Sequence, residues 1–183
     1  MVQRDEMRTG EVRTDLPAAR DADLIFIGRI RTPWQDRLAC PRQGRLDGPV
    51  CRIELAPPWN EALDGIEAYD RLEVLYWLDR SRRDLVRQSP RNDGATRGTF
   101  ALRSPVRPNP IGTAVVRLVA REGSVLLVQG LDCLDGTPLL DLKPERGAFA
   151  TPAPPQPGDA QLGGDAQVAG AEPAPTPVVY IRK

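Results

Sequence analysis

The sequence predicts a mainly β protein: a small closed antiparallel β-barrel with a few short helices and a disordered C-terminal tail. Three observations point there. Short runs rich in Val, Ile, Leu and aromatic residues recur, each bounded by Gly, Pro or Asp-Gly turn signals. Strand–helix units of helical length are missing, which argues against a doubly wound α/β domain. From Thr151 the composition shifts to Pro, Ala, Gly and Asp with almost no core formers. The chain therefore divides into a flexible arm (1–22), a folded β-barrel domain (23–150) and a mostly disordered tail (151–183). Closing the sheet removes its unpaired edges.

The elements follow in order. Residues 1–22 are polar and aperiodic. Leu24 to Ile30 is β-branched and aromatic and reads as a first strand, ended by Thr32-Pro33. After a loop from Trp34 to Gly48, Val50 to Leu55 alternates apolar and polar as a second strand. Pro57 to Gly65 has a proline start and a glycine stop, the marks of one or two helical turns. Leu72 to Leu78 is a third strand. Asp79 to Gln88 reads as a short helix that Ser81 can cap, and Thr99 to Leu102 as a short strand. Thr113 to Ala120 and Ser124 to Gln129 flank Arg121-Glu122-Gly123 as a hairpin. Asp135-Gly136 is a tight turn before a last strand, Leu139 to Leu142. Val178 to Ile181 offers a weak edge-strand signal in the tail.

Composition narrows the chemistry. The chain has 183 residues with 25 basic and 25 acidic, so no global charge marks a polyanion binder. There is no histidine, which excludes His-based acid–base catalysis, His-activated nucleophiles and His-ligated metals. The three cysteines, Cys40, Cys51 and Cys133, lack metal-ligand spacing, suggest no disulfide framework and fit a reduced cytoplasm. No metal and no membrane association are expected, since no apolar run approaches transmembrane length. No glycine-rich phosphate cradle is present either.

Local patterning is more informative. Only Lys143 and Lys183 are lysine, and from Arg80 to Arg107 eight arginines (80, 82, 83, 87, 91, 97, 103 and 107) face two acids, Asp84 and Asp93. Such an excess suits phosphates of a nucleic acid. The cluster runs into Arg103-Ser-Pro-Val-Arg107-Pro-Asn109-Pro110, where three prolines impose a rigid extended loop. Rigid loops bearing polar groups suit ligand binding because little ordering entropy remains to be lost. Pro41-Arg42-Gln43 and Asp135-Gly136-Thr137-Pro138 are two further loops of this kind. Taken alone, Pro41-Arg42-Gln43 is at least as well read as an ordinary surface loop, and Asp135-Gly136 is better read as a structural hairpin turn. Gathered on one rim of a barrel, the three would form one pocket. Trp34, Trp59, Tyr76 and Trp77 can stack bases, but within strands such residues are more often core.

These motifs carry a resemblance. Arg97 to Gly112, Gly130-Leu-Asp-Cys-Leu-Asp-Gly-Thr-Pro138 and Leu140-Asp-Leu-Lys-Pro144 closely resemble the TsaA-like (TrmO) family. Gly28 to Pro33, Pro41-Arg42-Gln43 and Leu75 to Arg80 fall in the same family order. The resemblance implies an S-adenosylmethionine-dependent tRNA methyltransferase, a homodimeric cytoplasmic barrel that modifies N6 of threonylcarbamoyladenosine beside the anticodon. By position it implies cofactor contacts at Pro41, Arg42, Gln43, Asp79, Arg80, Arg103, Thr113, Asp135, Gly136, Thr137 and Pro138. Asp79 and Asn109 are the candidate catalytic residues. Arg82, Arg83, Arg97 and Arg107 are candidates for RNA contact. Many family members carry a histidine at the position of Asp79. Two other readings are a non-catalytic cofactor- or RNA-binding barrel, and a methyltransferase for another small molecule or RNA.

Overall fold

In the computed structural model of the chain, residues 7–14 and 23–145 are described. The protein is mainly β, with three short 3-10 turns at Trp59–Leu63, Ile66–Ala68 and Thr99–Ala101. The strands are β1 (Val12–Arg13), β2 (Gly28–Arg31), β3 (Cys51–Leu55), β4 (Arg71–Trp77), β5 (Leu85–Gln88), β6 (Arg97–Gly98), β7 (Ile111–Glu122), β8 (Val125–Gln129) and β9 (Pro138–Pro144).

Six of them form a closed ring in the order β2-β3-β8-β7-β4-β9, every neighbouring pair antiparallel. The ring follows from period-2 patterning. Ile30, Ile53, Leu72, Val74, Val116, Leu126, Val128 and Leu139 are each fully enclosed, and the residues between them face outward. The interior is completed by Cys51, Leu55, Tyr76, Leu131 and Cys133. Gly112 sits where only a hydrogen fits, since a Cβ there would lie 2.1 Å from the Tyr76 ring. That ring thereby lies directly against the Gly112 backbone of β7.

The register sorts the connections by end. Trp77, the last residue of β4, pairs with Ile111, the first of β7. Cys51, the first of β3, pairs with Val128 near the end of β8, and Arg31 at the end of β2 pairs with Arg52. Pro138 opens β9 opposite Arg29. The connections 32–50, 78–110 and 130–137 therefore all leave one rim of the ring. The connection 56–70 and the β7–β8 turn at Gly123 close the other.

Several local expectations are corrected, and within the stretch expected to be a flexible arm Val12–Arg13 forms β1, paired with β5. Asp79 to Gln88 is not a helix: Leu85–Gln88 forms β5, flanked by β1 on one side and β6 on the other. The β1 partner lies some 70 residues away in sequence, and its backbone bonding outweighs a weak helical propensity. Thr99 to Leu102 is not a strand. The Thr99 hydroxyl donates to Leu85 O at 2.6 Å and the Leu102 amide to Thr99 O at 3.2 Å, which curls the chain into a 3-10 turn. The first strand also begins at Gly28 rather than Leu24, and Leu24, Ile25 and Phe26 are exposed. The proposed tail, 151–183, and its Val178 to Ile181 segment lie outside the described residues.

Candidate functional site

The three loops singled out in the sequence share the rim. Pro41, Arg42 and Gln43 lie in connection 32–50; Asp79, Arg80, Arg82, Arg83, Arg97, Arg103, Arg107 and Asn109 in 78–110; Asp135, Gly136 and Thr137 in 130–137, with Pro138 opening β9. Thr113 stands apart. It lies on β7 opposite Leu75, and its hydroxyl donates to Glu73 Oε1 at 3.1 Å on the outer face of the sheet.

The Asp135 turn is tied into the strand ends. Asp135 Oδ1 accepts the Thr32 amide at 3.1 Å, and the Asp135 amide donates to Trp34 O at 2.8 Å. Oδ2 is 4.0 Å from Arg31, whose guanidinium is held mainly by Glu54 at 2.9 Å. Gly136 adopts φ 79°, and its amide donates to Ile30 O at 2.9 Å. A Cβ at Gly136 would meet nothing within 4 Å, so the surface above this turn is open.

Asp79 and Asn109 flank one bond, Leu78 N donating to Pro110 O at 2.9 Å, which continues the β4–β7 pairing past the strand ends. Asp79 and Arg80 are exposed. The proline-rich segment is braced from within: the Arg107 guanidinium donates to Leu102 O and, at 3.1 Å, to Ser104 O. Buried Gln88 reaches it as well, donating to Val106 O at 2.9 Å.

The arginine cluster divides by partner. Arg82 donates twice to Asp84, at 2.8 and 3.0 Å, and Arg83 stacks on Trp77 with its guanidinium carbon 4.7 Å from the ring centroid. Arg87 bonds Thr96, and Arg107 serves the loop carbonyls. Arg80, Arg91, Arg97 and Arg103 are exposed with no carboxylate partner among the described residues. These four are the open positive charges of connection 78–110.

Tyr76 and Asp132 form a contact that sequence reasoning did not anticipate, since it gives Tyr76 to the core and Asp132 no role. The Tyr76 hydroxyl donates to Asp132 Oδ1 at 2.6 Å, while Oδ2 accepts the Gly44 amide at 3.3 Å. Burial, then the neighbouring carboxylate, pushes the Tyr76 phenol above its ordinary range. The only sequence signal was an acid, Asp132, at the third residue of the Gly130–Gly136 run.

The loops of this rim carry carboxylates (Asp79, Asp135) and exposed guanidinium groups (Arg42, Arg80, Arg103). That donor set suits a ligand carrying a carboxylate together with cationic and hydroxyl groups.

A closed antiparallel ring with polar loops gathered on one rim, and no glycine-rich cradle, defines a small β ligand-binding unit outside the dinucleotide-binding class. The family described as "tRNA-methyltransferase O N-terminal domain" matches residues 29–151, and the chain belongs to it. The "Probable S-adenosyl-L-methionine-binding protein VirR" of Rhizobium radiobacter is 55% identical over 148 residues, 81% of this chain and 85% of that protein. The "tRNA (adenine(37)-N6)-methyltransferase" of Escherichia coli is 39% identical over 129 residues, 64% of this chain and 55% of that protein. Among solved structures, TrmO from Pseudomonas aeruginosa superposes with a TM-score of 0.58 at 34% identity, covering 75% of this chain and 62% of that one. The chain thus spans about three fifths of the TrmO structure it matches. Among the described residues no helix is long and apolar enough to cross a membrane.

Proposed function

We propose that the chain is an S-adenosylmethionine-dependent tRNA methyltransferase acting on N6 of threonylcarbamoyladenosine next to the anticodon. The observation that carries this reading is the convergence of three separate loops, each holding family-motif residues, on one rim of the ring. In this reading the ring is a β-barrel and the protein is a cytoplasmic homodimer.

The residues divide by role. Pro41, Arg42, Gln43, Arg80, Arg103 and Asp135 to Pro138 hold the cofactor, the guanidinium groups taking its carboxylate and the Asp135 carboxylate its polar groups. Thr113, on the outer face of β7, fits this set only through a second copy of the chain. Bound S-adenosylmethionine supplies a methyl group on a positively charged sulfur, an electrophile that needs no covalent help from the protein. The rim's task is alignment and exclusion of water. Methylating an N–H nitrogen releases a proton, and the Asp79 carboxylate accepts or orients it while Asn109 holds the acceptor amide. Arg83, Arg91 and Arg97 hold tRNA phosphates. Arg82, spent on Asp84, and Arg107, spent on loop carbonyls, shape the surface they stand on.

Purified protein, incubated with S-adenosylmethionine and tRNA from a strain lacking the homologous activity, is expected to produce methylated threonylcarbamoyladenosine, read by nucleoside mass spectrometry. Asp79→Asn, at a position that is also a cofactor contact in this reading, should lower the rate by about 100-fold, well beyond its effect on cofactor affinity. The name of the Rhizobium relative favours a second reading, a cofactor-binding protein without transfer. Cofactor binding by calorimetry with no methylated nucleoside would select it, and absence of both would sink the cofactor reading altogether.

A further inference from the structure

Connection 32–50 reaches the rim without any strand or helix of its own, yet its residues 41–43 must be held still if they are to bind anything. The hydrogen bonds that tie residues 40–44 to another element, among those described, both end on Asp132: the Cys40 thiol donates to Asp132 O at 3.1 Å and the Gly44 amide to Oδ2 at 3.3 Å. The two anchors bracket Pro41, Arg42 and Gln43. Gly44 lies against the Gly130 carbonyl so closely that a Cβ would fall 1.7 Å from its oxygen. Asp132 is itself fixed from the ring. Its other carboxylate oxygen takes the Tyr76 hydroxyl at 2.6 Å, and Tyr76 is only 4% exposed and wedged on Gly112. Both oxygens thus accept hydrogen bonds, and removing the carboxylate takes this partner from the Tyr76 hydroxyl and the Gly44 amide alike.

We infer that Asp132, held by Tyr76, is a positioning residue for the cofactor rim: it transmits the rigid geometry of β4 and β7 to the Pro41–Gln43 segment. This rests on reading Pro41, Arg42 and Gln43 as cofactor contacts. Asp132 touches no reacting group. It acts by preorganising a loop that otherwise must be ordered at the moment of binding.

The test uses the full chain with Asp132→Ala, Tyr76→Phe and the double variant, plus Arg121→Gln as a control at the opposite rim, where Arg121 bonds Leu63 O and Glu67. Each is assayed well below its measured melting temperature. Expected is a rise of at least 10-fold in the dissociation constant for S-adenosylmethionine in both single variants. The double variant should lose little more than Asp132→Ala, and Arg121→Gln should bind as wild type does. The KM for the cofactor should rise while kcat at saturation stays within about threefold. Hydrogen exchange at the Gly44 amide should quicken at least 10-fold in both variants, a readout independent of any ligand. Unchanged exchange at Gly44 overturns the positioning role whether or not cofactor binds. Quickened exchange with wild-type cofactor affinity overturns the link to the ligand. Failure of the wild-type protein to bind S-adenosylmethionine instead removes the cofactor reading, and the ligand half of this inference with it.

Discussion

At the scale of single residues, the rim depends on positions with no freedom to change. Gly44 is one: a methyl group there meets backbone rather than a movable side chain. Gly44→Ala should therefore cost about 1–3 kcal/mol in denaturant unfolding, and should loosen the segment that carries Arg42. The thiols show what enclosure does to reactivity. Burial first, and for Cys40 the Asp132 carboxylate next, pushes Cys40 up to about 11, and burial pushes Cys51 to the same range. At pH 8 only about one thiol in a thousand is then the reactive thiolate. Alkylation of the native protein followed by mass spectrometry should be slow at pH 8 and rise about tenfold per pH unit toward 11.

At the scale of elements, the N-terminal strand decides the shape of the arginine surface. β1 pairs with β5, Arg8 donates to Ser89 O and Pro90 O at 2.8 and 3.1 Å, and Glu11 accepts the Ser89 amide at 3.2 Å. Asp84 joins both sides, taking Arg82 from its own segment and Arg13 of β1 at 2.7 Å. The Arg82 hydrogen bonds are the chief reason its carboxyl lies below the usual range. The sign follows from that depression. The stabilisation is complete above the unfolded-state value, about 3.9, and is lost as pH falls through the lower folded-state value. Asp84→Asn should cost about 1 kcal/mol at pH 7, the low side for bonds to a charged group because Arg13 is well solvated. It should also flatten the loss of stability below pH 4, as read from denaturation midpoints at pH 7 and pH 3.

At the scale of the molecule, RNA binding belongs to charge that the fold leaves unpaired. Arg83, Arg91 and Arg97, if all three engage phosphates, give a slope of about −2 to −3 in log affinity against log salt for tRNA. A flat response in filter binding would remove that role. Much of the architecture was legible in the sequence, because strand existence is written in period-2 patterning: Ile30, Ile53, Val74 and Leu126 alternate inward whatever their partners. The turn at Asp135-Gly136 was equally legible, since Gly136 alone suits its positive φ. β5 was not, because its backbone partners arrive from Val12 and Arg97, and no local propensity encodes a strand supplied by distant chain. The candidate loops could be named from their rigid and polar residues, but a linear chain does not say which loops share an end. The sequence by itself determined which residues are chemically equipped, and excluded histidine and dinucleotide-cradle chemistry outright. Only the tertiary structure decided that three loops meet on one rim and that Arg82 and Arg107 are engaged internally. It alone joined Asp132 to Tyr76 and Gly44, because strand register, a property of pairs far apart in the chain, sets which ends and which side chains come together.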